Sequence, residues 1–425
     1  MGESVRLRVN NEIPAYRPGL VSALDVGTSK VVCVIGHAEA GTLKVLGSAL
    51  RESGGLKSGM VSSLNLAEDS IRDCVAAAEN MADARIQNVL ISVNCGQPMS
   101  VTGRAVMALD GALVTDAHLR ALLAEGREQC RRDGYEILQS APTTYVVDEA
   151  RGVRDPSGMF CQKIGVAMHA VAVKPSPMAN LKLAVERCHL NVVGAMFGAY
   201  ASALSTLTED EKQVGATVID MGGGVTSIAV FLEGHLVHAD LVQIGGLDIT
   251  TDIGKLLAAP LSAAERAKTL YGAALGDEAG TDVVPIAQMG EEGEDSVLRV
   301  PRSMLIRIIQ ARLEEIFGEV RKRLAAGGFD GAAGRRLVLT GGASQLGGAR
   351  ELAARILDKQ VRIGRPQGFA GLAAASAGPD YATAIGILMA GATMPPELIN
   401  PALAMVPDAS KGKSWLSRLT GRWLE

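Results

Sequence analysis

Aromatic side chains are nearly missing from this chain, making up 3% of its 425 residues. A core with few rings has to be closed by small and β-branched side chains, and glycine, alanine and valine are abundant. That mix points to helices laid closely over buried parallel strands, an α/β architecture. No charge of one sign dominates: the net charge is −4, which excludes a general nucleic-acid binder and leaves any basic patch local. The six cysteines (Cys33, Cys74, Cys95, Cys130, Cys161, Cys188) show neither CxxC spacing nor a dense framework. They read as reduced, mostly buried thiols of a cytoplasmic protein, not as disulfides or zinc ligands. The six histidines are scattered without nucleophile or metal spacing, so core or surface roles are expected and no water-activating base stands out. No stretch supplies the roughly 20 apolar residues of a membrane-spanning helix. Residues 1–19 hold no apolar run resembling a signal peptide and read as a flexible tail. If the protein meets a membrane, it lies on it. The length exceeds what one core usually serves, so two or more domains are expected.

What the sequence does contain is a strand-turn-strand unit that occurs twice. Val21 to Lys30 runs on into Val31 to Ile35 around a turn centred on Gly27, and a third run, Leu43 to Ala49, follows a second turn. The plan recurs with Thr217 to Asp220, the turn from Met221 to Thr226, Ser227 to Phe231, and Leu236 to Gln243. The strand-end aspartates, Asp25 and Asp220, stand 195 residues apart. After each unit come a helix-like stretch and a strand: Leu66 to Met81 then Gln87 to Val93, and Pro301 to Leu324 then Leu337 to Gly342. Duplicated β-β-β-α-β domains with a ligand cleft between them are the economical reading.

The chemistry of the turns follows from their residues. Glycine lets backbone N–H groups approach phosphate oxygens with no Cβ in the way, and Thr28, Ser29 and Thr226 add hydroxyl donors. A carboxylate facing phosphate directly would be repelled, so Asp25 and Asp220 make sense with a hydrated Mg²⁺ between them and the phosphates. Either turn alone also occurs as a plain hairpin; the pair in register within matching halves favours a polyphosphate clamp. A third element, Thr340-Gly-Gly-Ala-Ser344 ahead of the helix-like Leu346 to Leu357, places flexible backbone where a base or ribose could lie, or simply turns a strand into a helix.

These three elements, in this order, resemble the phosphate-1, phosphate-2 and adenosine motifs of the actin, hexokinase and chaperone ATPase superfamily. Met81-Ala-Asp83 with Ile86 to Asn94, Leu207 to Glu211, Val218 to Gly224 with Ile228 to Val230, and Tyr381 to Gly386 resemble the FtsA family more narrowly. The similarity covers about Leu20 to Thr393 and resumes at the extreme C-terminus. It implies an actin-like, ribonuclease H-like fold that binds ATP with Mg²⁺ and is at most a slow ATPase. It implies a subdomain 1A over 20–99 with 175–213 and 378–393, an FtsA-type subdomain 1C over 100–174, a 2A over 214–246 with 320–377, and a 2B over 247–319. Nucleotide contacts are then expected from Asp25, Gly27, Thr28, Ser29 and Lys30, and from Asp220, Gly222, Gly223, Gly224, Val225 and Thr226. Others are expected from Gly245, Gly246, Glu265, Lys268, Gly341, Gly342 and Ala343, with Asp25 and Asp220 reaching the metal through water. Glu265 and Lys268 share one helix face and read equally well as a ribose or adenine contact or as a solvated charge pair. Gly198 to Leu207 and Tyr381 to Met389 resemble helices that cross between the halves. The sequence departs from the family where Thr-x-Asp often follows the triple glycine: Val225, Thr226 and Ser227 bring no carboxylate.

From Met394 to Ser410 four prolines make poor helix material and a plausible semi-extended linker over 394–410. Residues 411–425 follow as an amphipathic stretch, with Trp415, Leu416, Leu419 and Trp423 on one helical face and Lys411, Arg418 and Arg422 beside or opposite it. Both tryptophans of the chain sit here, as an anchor in anionic lipid would place them. The resemblance adds attachment to the cytoplasmic face of the inner membrane at the division site. It adds self-association into filaments, capture of the FtsZ C-terminal peptide by subdomain 2B, and contacts of later division proteins with 1C. Two rival readings share the fold: a sugar or acetate kinase, and an MreB-like filament protein, which would carry the ordinary actin subdomain in place of 100–174.

Overall fold

The structure, a computed structural model, describes residues 19–394 apart from 40–41, 277–281, 291–296, 332–334, 368–370 and 372–375. The linker and the amphipathic stretch with Trp415, Leu416, Arg418, Leu419, Arg422 and Trp423 lie outside the described residues, as do the acidic run at 291–295 and all but Gly19 of the N-terminal tail. Among the described residues no helix is long and apolar enough to cross a membrane.

The first half opens with three antiparallel strands, β1 (Gly19–Val26), β2 (Lys30–Glu39) and β3 (Thr42–Glu52). A small hairpin of β4 (Leu56–Lys57) and β5 (Met60–Val61) leads to α1 (Leu64–Ala82) and then to β6 (Asn88–Val93), parallel to β1. The chain next builds a separate antiparallel sheet of β7 (Met99–Ala108), β8 (Glu136–Val147), β9 (Ala150–Val153) and β10 (Lys163–Val173), with α2 (Asp116–Glu128) packed on it. It returns through α3 (Pro175–Glu186) to β11 (Asn191–Phe197), which completes the first sheet in the order β11-β6-β1-β2-β3.

Helices α4 (Gly198–Thr206) and α5 (Glu209–Val214) carry the chain into the second half, which repeats the plan with β12 (Ala216–Met221), β13 (Thr226–Leu232) and β14 (His235–Val242). Helices α6 (Gly246–Leu256) and α7 (Leu261–Tyr271), a hairpin of β15 (Val283–Ala287) and β16 (Val297–Pro301), and the long α8 (Arg302–Ala326) follow. Strand β17 (Arg336–Thr340), α9 (Ala349–Leu357) and β18 (Gln360–Ile363) close a sheet ordered β14-β13-β12-β17-β18, and α10 (Ala382–Thr393) ends the described chain. The expected duplication is therefore present. One boundary differs: the helix expected from Leu346 starts at Ala349, because Gly342–Gln345 forms a 3-10 turn and Gly348 sits at positive φ.

The central strands are covered on both faces. In the second sheet Val218, Ala229 and Phe231 pack towards the first half, while Ile219, Ile228 and Val230 pack beneath α8 and its neighbours. Successive side chains point to opposite faces, so strands buried on both sides read as unbroken apolar runs, as Val31 to Ile35 does. The inserted sheet has its own core, with Leu119 and Leu122 of α2 over Val101, Ile164 and Val166. It is tied to the second half through Ser100 at the start of β7, whose hydroxyl accepts from Ala239 N at 2.6 Å and donates to Ala239 O at 3.1 Å. His169 of β10 sits beside Ser100 at 2.9 Å, and burial pushes this imidazole down to about 3, so it is neutral. All six cysteines are free thiols; five are buried, and burial raises Cys95 to about 12.

Two apolar helices cross where the halves meet. Nearly all of α4 and α10 is buried, as helices apolar on every side must be. They approach so closely that a Cβ on Gly386 would overlap the carbonyl of Ala201. Gly386→Ala is therefore expected to cost about 1–3 kcal/mol, the usual range for overpacking a dense core. A lowered urea midpoint at unchanged slope would show it; a wild-type midpoint would mean that the helices part freely.

Candidate functional site

The two strand-turn-strand units bring their turns together over one cleft. Asp25 is the last residue but one of β1, opposite Val32 in the ladder, and Asp220 the last but one of β12, opposite Ser227. The turns are alike: Gly27 N donates to Lys30 O and Gly222 N to Val225 O, each at 2.9 Å. They also touch each other. A Cβ on Gly223 would stand 2.5 Å from Ser29 Oγ, and one on Gly224 2.5 Å from Thr28 Oγ1. Glycine in the second turn is thus demanded by the first turn, before any ligand is considered.

Both aspartates are buried, 8% and 7% exposed, and each is held by hydroxyls. Asp25 Oδ1 accepts from Ser92 Oγ of β6 at 2.5 Å. Asp220 Oδ2 accepts from Ser202 Oγ of α4 at 2.5 Å and from Thr383 Oγ1 of α10 at 2.8 Å. Burial pushes the Asp25 carboxyl up to about 6; the Ser92 hydrogen bond and the Lys30 ammonium oppose this, and the neighbouring Asp220 adds to it. Lys30 is itself lowered by burial, against the pull of Asp380, Asp25 and Asp220, and its Nζ donates to Asp380 O at 2.8 Å.

Of the residues expected at the site, Asp25, Gly27, Thr28, Ser29, Lys30, Asp220, Gly222, Gly223, Gly224, Val225, Gly341 and Gly342 line the cleft together. Six others are not among the residues that line it. Thr226 is fully buried and spends its hydroxyl on Ile244 O at 2.8 Å, so it does not face the cleft. Gly245 and Gly246 support the second turn from outside: Gly246 N donates to Gly222 O at 2.9 Å and Leu247 N to Gly223 O at 2.7 Å. Ala343 packs on Gly246. Lys268 is buried and already donates to Gly246 O at 3.0 Å, Thr250 Oγ1 at 2.8 Å and Glu265 Oε2 at 2.6 Å. Glu265 and Lys268 pair with each other as their shared helix face allows, with the cation buried under α6 and not solvated.

The cleft also takes residues that sequence reasoning did not assign to it: Val26, Gly59, Asn94, Ser227, Pro379, Asp380 and Thr383. Thr383 lies inside the Tyr381 to Gly386 stretch read above only as a crossing helix. A hydroxyl placed next to alanine at the helix start was the available signal.

Two buried carboxylates on facing turns suit a hydrated divalent cation. Such an ion keeps its waters and accepts outer carboxylates, and its charge would favour the ionised Asp25 that burial, and to a lesser degree Asp220, disfavours. Lys30 adds a fixed positive charge beside the same space, and the glycine backbone leaves room for phosphate oxygens.

Two family models match the chain: that of cell division protein FtsA over residues 217–386, and that of the SHS2 domain inserted in FtsA over residues 96–172. A cell division protein FtsA of Rhizobium meliloti is 39% identical over 421 residues, covering 96% of this chain and 93% of the relative. One from Neisseria meningitidis serogroup B is 34% identical, over 95% and 98%. Among solved structures, a chain of the PilM-PilN type IV pilus biogenesis complex superposes with a TM-score of 0.61 at 18% identity, covering 87% of this chain and 98% of that one. The ethanolamine utilization protein EutJ from Carboxydothermus hydrogenoformans does so with 0.50 at 15% identity, over 90% and 93%. The fold is actin-like, as the sequence resemblance implied.

A carboxyl that titrates near 6 when folded and near 3.8 when unfolded binds its proton more tightly in the folded chain. Its burden on stability therefore grows as pH rises from about 4 to about 6 and persists above that. Asp25→Asn is expected to stabilise the isolated chain at pH 8 by roughly 2–3 kcal/mol at most. The gain should fade towards pH 4. Melting both proteins across that range checks it, and a gap that does not move with pH would refute the account.

Proposed function

The chain belongs to the cell division protein FtsA family, and from that premise we propose that it is an ATP-binding, actin-like tether joining the division filament to the cytoplasmic face of the inner membrane. The observation that carries the nucleotide half of this reading is the pair of buried aspartates at the tips of facing glycine turns. Mg·ATP would lie between those turns, its phosphates against the backbone of Gly27 to Ser29 and Gly222 to Gly224 and its charge offset by Lys30. Asp25 and Asp220 would hold waters of a magnesium ion, whose chemistry is to neutralise and orient the phosphates. The nucleoside would run past Gly341 and Gly342. Ser92, Ser202 and Thr383 keep both carboxylates pointed into the cleft. No carboxylate follows the triple glycine, which fits slow turnover at most.

The tethering half rests on near-full-length similarity to proteins named for cell division and on the tail composition. Residues 411–425 would lie in anionic headgroups through Trp415, Leu416, Leu419 and Trp423, with Arg418 and Arg422 at the lipid phosphates. One short anchor binds marginally and reversibly, so self-association into filaments supplies firm attachment through avidity. Residues 247–319 would take the C-terminal peptide of FtsZ, and the inserted sheet would meet later division proteins. The match to the SHS2 insertion supports this over an MreB-like filament, and relatives named for division support it over a sugar or acetate kinase.

Two measurements test the two halves. Asp220→Ala removes a charged acceptor worth roughly 1.5–3 kcal/mol, so Mg·ATP affinity by calorimetry should fall about tenfold or more; equal affinity would mean the second turn is no phosphate site. Filaments of FtsZ should sediment with anionic liposomes when the full chain is present and stay in solution when residues 411–425 are deleted. Co-sedimentation without those residues would remove the anchor.

A further inference from the structure

One polar group in the cleft is used neither by the protein's own hydrogen bonds nor by the reading above. Asn94 follows directly on β6 and lines the cleft with Thr28, Gly59 and Val225. Its side-chain oxygen Oδ1 is buried, and no donor among the described residues reaches it. The placement is enforced by glycine on two sides. The carboxamide lies against Gly198 at the start of α4, where a Cβ would overlap it, and the Asn94 carbonyl presses on Gly59, which sits at φ +78. A buried acceptor without a donor is rare in folded proteins, and in a cleft it marks where a bound molecule brings the donor.

The neighbourhood narrows what that donor is. Gly59 N donates to Thr28 Oγ1 and Gly59 lies against Val225, so this corner of the cleft belongs to the phosphate-facing turns, whereas the nucleoside is proposed to run past Gly341 and Gly342. Phosphate oxygens are acceptors, and so are the carboxylates of Asp25 and Asp220. The donors that a magnesium nucleotide carries to this end are its waters.

Resting on the nucleotide reading, we propose that Asn94 Oδ1 accepts a hydrogen bond from a water at the terminal-phosphate end, making Asn94 a positioning residue of the site. That water is either one of the cation's hydration waters or the water that attacks the phosphate. A carboxamide takes up no proton, so its contribution is orientation. If the attacking water is the one held, its oxygen bonds the terminal phosphorus as the bond to the bridging oxygen breaks. ADP leaves with that oxygen, one water proton stays on inorganic phosphate and the other passes to solvent. This places an uncharged water holder in a cleft whose sequence lacks the family's frequent carboxylate after the triple glycine.

The test uses the full chain with N94A and N94L. Without nucleotide, N94L should melt no lower than wild type, since it removes an unpaired buried acceptor; a lowered midpoint in both variants marks a purely structural residue and overturns the proposal. In EDTA both should bind ATP as wild type does. With Mg²⁺, a roughly fivefold loss of ATP affinity identifies the hydration water. Unchanged affinity with phosphate release slowed about tenfold in single turnover identifies the attacking water. Variants equal to wild type in both readings, or weakened equally in EDTA, overturn it. Failure of the wild-type chain to bind ATP at all would instead sink the nucleotide reading, and the two failures are told apart by that control.

Discussion

Asp25 is buried beside Asp220, and much of the molecule is arranged around the cost of keeping two carboxylates in one place. Burial and the neighbouring aspartate both push Asp25 upward, and what opposes them is modest: one serine hydroxyl and one lysine that burial has also weakened. A protein built for stability alone would not keep this pair. Perturbed acids of this kind gather where a ligand of opposite charge is to be received, and the deficit they impose is repaid on binding.

The fold holds the pair by drawing on distant parts of the chain. Asp25 is steadied from within its own sheet by Ser92, whereas Asp220 is steadied by two helices, α4 and α10, that cross between the halves at Gly386 and Ala201. Those helices are packed without slack. Tyr200 of α4 stacks on Phe231 of β13 with ring centroids 5.8 Å apart, so the same helix touches the second sheet twice. The inserted sheet is fastened to β14 through Ser100. Any change in the separation of the two turns has to be taken up at these junctions, because dense cores and close helix crossings rearrange by small shears more readily than they stretch. On the proposed reading, that is the route by which the nucleotide and the surfaces used for assembly feel one another.

The glycines of the second turn carry a double duty. Gly223 and Gly224 admit phosphate oxygens on the proposed reading, and they also admit Ser29 and Thr28 of the opposite turn. The contact between turns explains why the second turn is built of glycine even where the first carries Thr28 and Ser29: one side of the contact can have side chains only if the other has none.

Local pattern was enough to read the strand-turn-strand units, their duplication and the two aspartates, since alternation of burial along strands and glycine at turns are properties of neighbouring residues. The twelve expected residues that line the cleft together come almost wholly from those turns. Where a side chain's role depends on what lies opposite it, the sequence was silent. Thr226 reads as a phosphate donor in the sequence, yet Ile244 O accepts its hydroxyl, and the charge pair that Lys268 could form with Glu265 reads as solvated, yet the ammonium is buried among Gly246, Thr250 and Glu265. Asp380 and Thr383 reach the cleft from 350 and 163 residues away from their partners Lys30 and Asp220, a distance that no spacing rule spans. Residue type and order determined which chemistry this chain could hold; tertiary contact decided which groups are left to perform it, because a hydroxyl whose proton is spent inside the fold, like that of Thr226, cannot donate it to a ligand, whereas a carboxylate that holds hydroxyls, like that of Asp220, still has lone pairs to offer.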